Sequence, residues 1–204
     1  GMKLTGLTKF IIDLSNFLTK NYSVMLLGII AVVGTFIYCY KKIKAFRRTV
    51  QVILMKTPVI KDIIIYNEIT VFTKTFASLL KNNVFITESI DILSKITNNE
   101  IYKEIMATTI DNIARGDKIS TAFKDHWAVP SVAYYMIVTG ESTGELAQML
   151  DKGSQYYQEQ HRAIVSNLKA LIEPILIAGL AIVVGGIILA VIVPMFDMYG
   201  ELAG

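Results

Sequence analysis

The amino-acid sequence predicts an all-α membrane protein in which a cytoplasmic bundle of about six helices lies between two transmembrane helices. Three observations lead to this fold class. Two long apolar stretches carry no charge, and basic residues are concentrated directly after the first of them. The segment between the stretches repeats apolar residues at the three- and four-residue spacing of amphipathic helices, without strand-like alternation.

Composition indicates contact with lipid. Of the 204 residues, 53% are hydrophobic and 18% are charged, and the mean hydropathy is +0.49. An average soluble domain carries about 25% charged residues. The net charge of +3 is too small to indicate a nucleic-acid partner. The single cysteine, Cys39, excludes a disulfide within the chain, and with two distant histidines it offers no zinc site of the usual kind.

The two apolar stretches are long enough to be membrane spans. Val24–Tyr40 contains no charged residue, and with Tyr22 and Ser23 it approaches the roughly 20 residues that cross a bilayer core. The second stretch, Ile175–Val193, is more apolar still, and its glycines either permit close helix contact in lipid or are merely tolerated. Buried core helices are the alternative, but a soluble domain of this size seldom needs two helices that are apolar all round.

The charges beside the spans predict their orientation. Lys41–Arg48 holds five basic residues and no acid, so the positive-inside rule places this flank in the cytoplasm. Asp197–Gly204 contains two acids and no base, which suits the outer side. The predicted organisation is an external N-terminal segment (1–21), a transmembrane helix (22–40), a cytoplasmic helical-bundle domain (41–170), a transmembrane helix (171–196) and an external C-terminal tail (197–204).

Start and stop signals divide the region between the spans into helices. An apolar stripe predicts a helix over Ile69–Leu80, and Asn82-Asn83 offers the left-handed stop that asparagine tolerates. The further predicted elements are a helix capped by Thr87 with Ile90, Leu93 and Ile96 on its face, a helix Glu100–Ala114 opened by Asn98 or Asn99 and closed by Arg115-Gly116, a short helix Lys118–His126, a helix from Pro130 through Val138, and a long helix from near Glu145 through Leu171 toward the second span.

The segment Gly140–Leu146 is the least ordinary part of this region, with two glycines and two carboxylates in seven residues. In one interpretation it is a tight corner between helices, where Gly144 supplies a positive φ and Glu145 favours the next helix N-terminus. In the other, Glu141 is an exposed contact for a partner or an ion. The candidate structural or partner-contact residues here are Gly140, Glu141, Gly144 and Leu146.

Three further candidates lie near the second span. Glu173 either faces headgroup water at the membrane boundary or faces protein or a polar cavity within the membrane. Pro174 removes a helix hydrogen bond and should bend the chain where it enters the bilayer. Pro194 is expected to end the span on the far side.

Nothing in the sequence predicts an enzyme. His126 and His161 fall on different predicted helices among ordinary surface residues, and no phosphate-binding glycine loop is present. We therefore predict no catalytic, cofactor-binding or metal-binding residues. A membrane-tethered sensor or a transporter subunit with a helical cytoplasmic domain is the alternative, although the predicted external ends are short and Thr35 is nearly the only polar residue in the spans.

Several motifs occur in a fixed order along almost the whole chain. They are Pro58-Val59-Ile60-Lys61, the helix Phe72–Leu80, Gly116-Asp117-Lys118-Ile119-Ser120, Gly140–Leu146 with Leu150, Glu173-Pro174 and Pro194-Met195-Phe196. In this order they resemble the platform proteins of type IV pilus and type II secretion machines, the PilC/GspF family. Asn83 stands where that family usually has glycine. The resemblance covers the C-terminal half of a full-length member, so the family's first cytoplasmic domain and first span would be missing.

The resemblance implies a non-enzymatic scaffold in the bacterial cytoplasmic (inner) membrane, multi-pass, with its central domain in the cytoplasm. The implied function is to couple a cytoplasmic hexameric assembly ATPase to the polymerisation of pilin or pseudopilin subunits. The implied partners also include other inner-membrane assembly proteins, membrane lipid and further copies of the chain, but no nucleic acid, and no cofactor is implied. Whether the machine assembles pili, secretes proteins or takes up DNA stays open.

Overall fold

The computed structural model describes the backbone of residues 6–202 and the side chains of residues 20–189, 191, 192 and 195. The described residues form seven α-helices and one 3-10 helix and contain no strand, which confirms the predicted all-α fold. The elements are α1 (Gly6–Lys42), α2 (Lys44–Lys56), α3 (Ile60–Lys81), α4 (Ile86–Ile96), α5 (Glu100–Ala114), a 3-10 helix (Ile119–Phe123), α6 (Ser131–Thr143) and α7 (Leu146–Leu202).

The chain divides into two units, which are described separately. Residues 39–167 form the helical bundle, and the described parts of residues 1–38 and 168–204 form the second unit. The described apolar side chains of the second unit are exposed. By length and hydropathy, Lys20–Lys42 and Leu146–Leu189 are candidate membrane spans, and each of these stretches extends from the second unit into the bundle. The helix α1 includes positions 22–40 of the first predicted span, and α7 includes positions 171–196 of the second.

A third helix, α3, is also long and apolar enough to cross a membrane by composition alone. One face of α3 is instead buried in the bundle core: Ile69 and Phe76 are fully buried and Phe72 is 2% exposed. The helix also carries charged residues along its length. We therefore assign α3 to the bundle core.

Six helices contribute to one apolar core, in agreement with the predicted bundle. The ring of Phe72 lies 5.6 Å from that of Phe76 and 5.2 Å from that of Phe123, between ring centroids. A buried core side chain from each helix of the bundle is, in chain order, Met55 (α2), Phe72 (α3), Leu93 (α4), Tyr102 (α5), Ile137 (α6) and Leu150 (α7). The first part of α7 thus packs into the same core as the shorter helices.

Local signals located several helix ends correctly. The α3 helix ends at Lys81, and Asn83 has the predicted left-handed conformation, with φ of 59°. The side chain of Asn99 caps α5 by accepting a hydrogen bond from the Ile101 N–H at 3.0 Å. At the other end of α5, Arg115 is followed by Gly116 with φ of 85°.

Other predicted ends are wrong. Thr87 does not cap α4, because the chain is already extended at Phe85 and the helix begins at Ile86. The predicted helix Lys118–His126 is a five-residue 3-10 helix, and the left-handed Asp125 (φ 51°) turns the chain before a longer helix can form. Pro130 precedes α6 as its N-cap residue, and α6 runs past Val138 and through Gly140 to Thr143, where the left-handed Gly144 ends it.

Both membrane-related helices are longer than the spans predicted within them. α1 begins at Gly6, so the described part of the predicted external segment 1–21 is helical; residues 1–5 lie outside the described part. Apolar residues at positions 7, 10, 11, 14, 17 and 18 give this stretch a helical stripe. α7 continues past Pro194 to Leu202, so that proline does not end the helix. The membrane limits within these helices remain predictions.

The connection between α2 and α3 contains a strained residue. Val59 has φ of 73° and ψ of −53°, a region that β-branched residues avoid at a cost of about 1–2 kcal/mol. We expect Val59→Gly to raise the free energy of unfolding by about 1 kcal/mol, because glycine adopts this conformation without strain. Thermal unfolding of the detergent-solubilised chain, followed by circular dichroism, measures the change.

The control for this substitution is Val84→Gly, in the connection between α3 and α4. Val84 is half-buried and is not among the described residues with positive φ. Glycine there removes apolar contact and adds backbone freedom to the unfolded chain, so this variant should be destabilised. Equal losses of stability in the two variants would contradict strain at Val59.

Candidate functional site

The carboxylate of Glu141 joins two elements that are separate in sequence. Glu141 lies in the last turns of α6, and its Oε1 accepts a hydrogen bond from the Ile119 N–H at 2.6 Å. Its Oε2 accepts from the Ser120 hydroxyl at 2.7 Å and from the Ser120 N–H at 3.3 Å. A helix begins with N–H groups that lack partners, and a negative charge is favourable there. We call this arrangement the Glu141 clamp.

The clamp lies beside a tight corner between α6 and α7. Gly140 is buried, and a Cβ atom at that position would lie 2.8 Å from the Cα of Leu146 and 3.0 Å from the Cβ of Met149. Glycine therefore allows the two backbones to approach. Gly144 ends α6 with the predicted positive φ, at 76°, and Leu146 is buried at the start of α7.

The four candidates of the segment Gly140–Leu146 thus meet at one corner of the bundle. Each has a structural task there, and the Glu141 carboxylate already has three protein donors. This geometry favours the corner interpretation over an ion contact at Glu141. Among the described residues, no group of three or more histidine, cysteine, aspartate or glutamate side chains could hold a metal.

The first helix of the bundle, α2, is joined to the start of α5 by hydrogen bonds and ion pairs. The Gln51 side chain accepts a hydrogen bond from the Glu100 N–H at 2.8 Å and donates one to the Asn98 carbonyl at 3.0 Å. Arg47 pairs with Glu100, and Arg48 donates to both carboxylate oxygens of Glu104 at 2.6 and 3.0 Å. The hydrogen bond to Glu104 raises the pKa of the Arg48 guanidinium.

A cavity of about 220 Å³ lies beside this attachment. Its lining residues are Tyr40, Gln51, Leu54, Met55, Ile64, Glu68, Asn98 and Asn99. Burial raises the pKa of the Glu68 carboxyl, whereas the hydrogen bond that it accepts from the Thr97 hydroxyl at 2.8 Å acts in the opposite direction. The Gln51 and Asn99 side chains already bond to backbone groups, and Glu68 is the single acid among these lining residues.

The two histidines lie in different segments of the bundle. The Nδ1 atom of His126 accepts a hydrogen bond from the Ala128 N–H at 3.2 Å, and burial lowers the pKa of this histidine. His161 lies on α7. Within the described part of the chain, His126 therefore serves the turn that follows the 3-10 helix.

The remaining candidates belong to the second unit. Glu173 is exposed on α7, and the backbone stays helical through Pro174. The side chain of Pro194 lies outside the described part of the structure. The expected bend at Pro174 and the roles of all three residues remain proposals.

The sequence did not predict the hydrogen-bond partners of Glu141 and Gln51. Ile119 and Ser120 stand in one of the motifs that carry the family resemblance, which is a signal that the turn has a specific partner, but the partner itself is about 20 residues away. Gln51 has no comparable signal, because a glutamine on an amphipathic helix usually faces solvent.

Most of the chain is similar to known proteins. The family model of type II secretion system (T2SS), protein F, matches residues 72–194. The type IV pilus assembly protein PilC of Pseudomonas aeruginosa is 28% identical over 204 residues, 100% of this chain and 54% of that protein. PilC of Thermus thermophilus is 29% identical over 204 residues, 100% of this chain and 50% of that protein. The type II secretion system protein F of Xanthomonas campestris is 28% identical over 181 residues, 89% of this chain and 45% of that protein. The chain spans about half the length of these curated relatives.

Proposed function

Since this chain belongs to the family of type II secretion system protein F, we propose that it forms part of the inner-membrane platform of a type IV pilus or type II secretion machine. The observation that carries the proposal is the extent of the family match, which includes the Glu141 clamp, the corner at Gly140–Leu146 and Glu173-Pro174. Its relatives are named type IV pilus assembly protein PilC and type II secretion system protein F, which supports a place in one of these two machines.

In this proposal the bundle, residues 41–170, lies in the cytoplasm and both ends of the chain lie outside. The five basic residues of Lys41–Arg48 support this orientation, because positive charge is retained on the cytoplasmic side of a span. A cytoplasmic bundle is accessible to a soluble hexameric ATPase, whereas the spans are accessible to pilin or pseudopilin subunits in the bilayer.

We further propose that the platform couples the ATPase to subunit polymerisation through α7. Tyr157 of α7 accepts a hydrogen bond from the Ala133 N–H at the start of α6, at 3.0 Å, and Leu150 is fully buried in the core. The Glu141 clamp fixes the other end of α6 to the 3-10 helix. These contacts let α6, the 3-10 helix and the first turns of α7 move as one body, so a displacement of the bundle would be carried along α7.

Co-purification tests the platform proposal most directly. The gene is tagged at its own locus in the source cell, and membranes are extracted in mild detergent. We expect the assembly ATPase and pilin or pseudopilin to be recovered with it, and deletion of the gene to abolish pili or secretion. Normal pili and normal secretion in the deletion strain would refute the proposal. Recovery of a transported solute or a signalling partner instead would favour the transporter or sensor.

The role of Pro174 in coupling is tested by Pro174→Ala. Proline has no N–H, so it cannot donate the helix hydrogen bond to the carbonyl of Ala170. Alanine donates this hydrogen bond, which makes the helix straighter and stiffer. We expect piliation or secretion to fall well below the wild-type level while the amount of the protein in the membrane is unchanged. Ile175→Ala, at an exposed apolar neighbour, is the control and should leave assembly intact. Unchanged assembly in Pro174→Ala would refute the coupling role.

A further inference from the structure

The basic residues after the first span divide into two sets. Arg47 and Arg48 are engaged within the bundle, where they pair with the glutamates of α5. Lys41, Lys42 and Lys44 are exposed, and none of them has an ion pair among the described residues. The division follows the chemistry of the side chains, because the guanidinium fork suits a carboxylate whereas the lysine ammonium is a mobile point charge.

The surroundings of the three lysines suit a negatively charged, partly apolar partner. No aspartate or glutamate occurs between positions 14 and 61, so the sequence adds no nearby negative charge. Between the lysines lies Ile43, which is 49% exposed and extended, with φ of −107° and ψ of 104°, at the break between α1 and α2. An exposed apolar side chain flanked by ammonium groups matches the boundary between headgroups and acyl chains.

We infer that Lys41, Lys42 and Lys44, here called the lysine patch, bind the phosphate groups of anionic phospholipids, with Ile43 inserted among the acyl chains. Lys41 and Lys42 continue the helix that holds the first span, and at 1.5 Å per residue they lie only about 3 Å beyond Tyr40. The flexible lysine stems can reach lipid phosphates from that depth. An acidic segment of another protein would have to displace lipid that is already present there, so charge and position together favour lipid.

This inference depends on insertion of α1 in a membrane and not on the platform function. Its role would be to fix the depth and direction at which the chain leaves the bilayer, because each bound phosphate holds one ammonium at the headgroup level. A failure of the lipid experiment would leave the platform proposal untouched, since that proposal is tested by assembly of pili or secretion.

The test measures lipid affinity with the purified full chain in a neutral detergent. Fluorescent cardiolipin is titrated into the protein, and phosphatidylcholine carrying the same label provides the uncharged comparison. The test variant is Lys41→Gln with Lys42→Gln and Lys44→Gln. We expect this variant to bind cardiolipin on the order of tenfold to a hundredfold more weakly than the wild type, because each lysine near an anionic lipid surface contributes separately to the binding free energy. Ile43→Gln, which keeps the charges, is expected to lose only severalfold in affinity.

The charge-matched control replaces Lys118, Lys124 and Lys152, which are exposed in other parts of the bundle, with glutamine. It should bind cardiolipin as the wild type does. Equal weakening in both triple variants would overturn the proposal, because general positive charge would then explain the binding. Unchanged affinity in the lysine-patch variant would also overturn it. Inorganic phosphate should not displace the labelled lipid at low millimolar concentration; full displacement would make the patch a phosphate site and refute lipid binding.

Discussion

Replacing Glu141 with alanine is expected to lower the free energy of unfolding of the bundle by about 3 kcal/mol. The substitution removes three hydrogen bonds to a carboxylate, each worth about 1.5–3 kcal/mol before water replaces part of the loss. For a chain of this size the thermal midpoint should fall by roughly 10 °C, since each kcal/mol corresponds to about 2–4 °C. Circular dichroism of the detergent-solubilised chain measures this shift.

Two further variants separate the clamp from a general effect of charge. Glu145→Ala removes a neighbouring exposed carboxylate for which no side-chain hydrogen bond is seen among the described residues, and it should leave the midpoint nearly unchanged. Glu141→Gln keeps one acceptor oxygen but turns an NH₂ group toward backbone or hydroxyl donors, so it should recover only part of the loss. A Glu141→Ala protein as stable as the wild type would show that the clamp contributes nothing.

The second large effect is expected at Gly140. A methyl group there would lie 2.8 Å from the Leu146 Cα, and a backbone atom cannot move aside as the end of a side chain can. We expect Gly140→Ala to lower the free energy of unfolding by about 2 kcal/mol, because overpacking separates α6 from α7. The cost should appear although alanine favours a helix over glycine by about 1 kcal/mol.

Gly153→Ala is the matched control for Gly140→Ala. Gly153 also lies in a helix of the bundle, but a Cβ atom there would meet the Sδ atom of Met136 at 3.0 Å. Methionine is flexible and can give way, so the clash should be small and alanine's helix propensity should offset most of it. Similar losses of stability at the two glycines would contradict a backbone clash at Gly140.

The parts of the fold that the sequence predicted well are those controlled by neighbouring residues. The boundaries of Glu100–Ala114 were correct because Asn99 caps the helix from one residue before it and Gly116 supplies a positive φ just after it. The left-handed conformation of Asn83 was likewise predictable, because asparagine tolerates this conformation better than most residues. The long apolar stretches needed no partner at all to be recognised.

The wrong predictions concern segments whose local structure depends on residues distant in the sequence. The segment after Lys118 has a helical composition, yet only Ile119–Phe123 is helical, as a 3-10 turn whose first N–H groups bond to Glu141 of another helix. Glu141 itself was recognised as unusual from the sequence. Its role could not be predicted, because spacing within one segment does not show which backbone groups a folded chain brings near a carboxylate.

The pairing of Arg48 with Glu104 spans 56 residues, which has a consequence for how the chain is made. At about 5–20 residues per second, the ribosome adds Glu104 roughly 3–11 s after Arg48. During that interval both arginines beside the first span carry unneutralised charge, together with the three lysines. If these charges orient the span, the arginines have two roles. During insertion they contribute to the positive charge that sets the orientation of the span. In the folded bundle they form the ion pairs that hold α2 against α5.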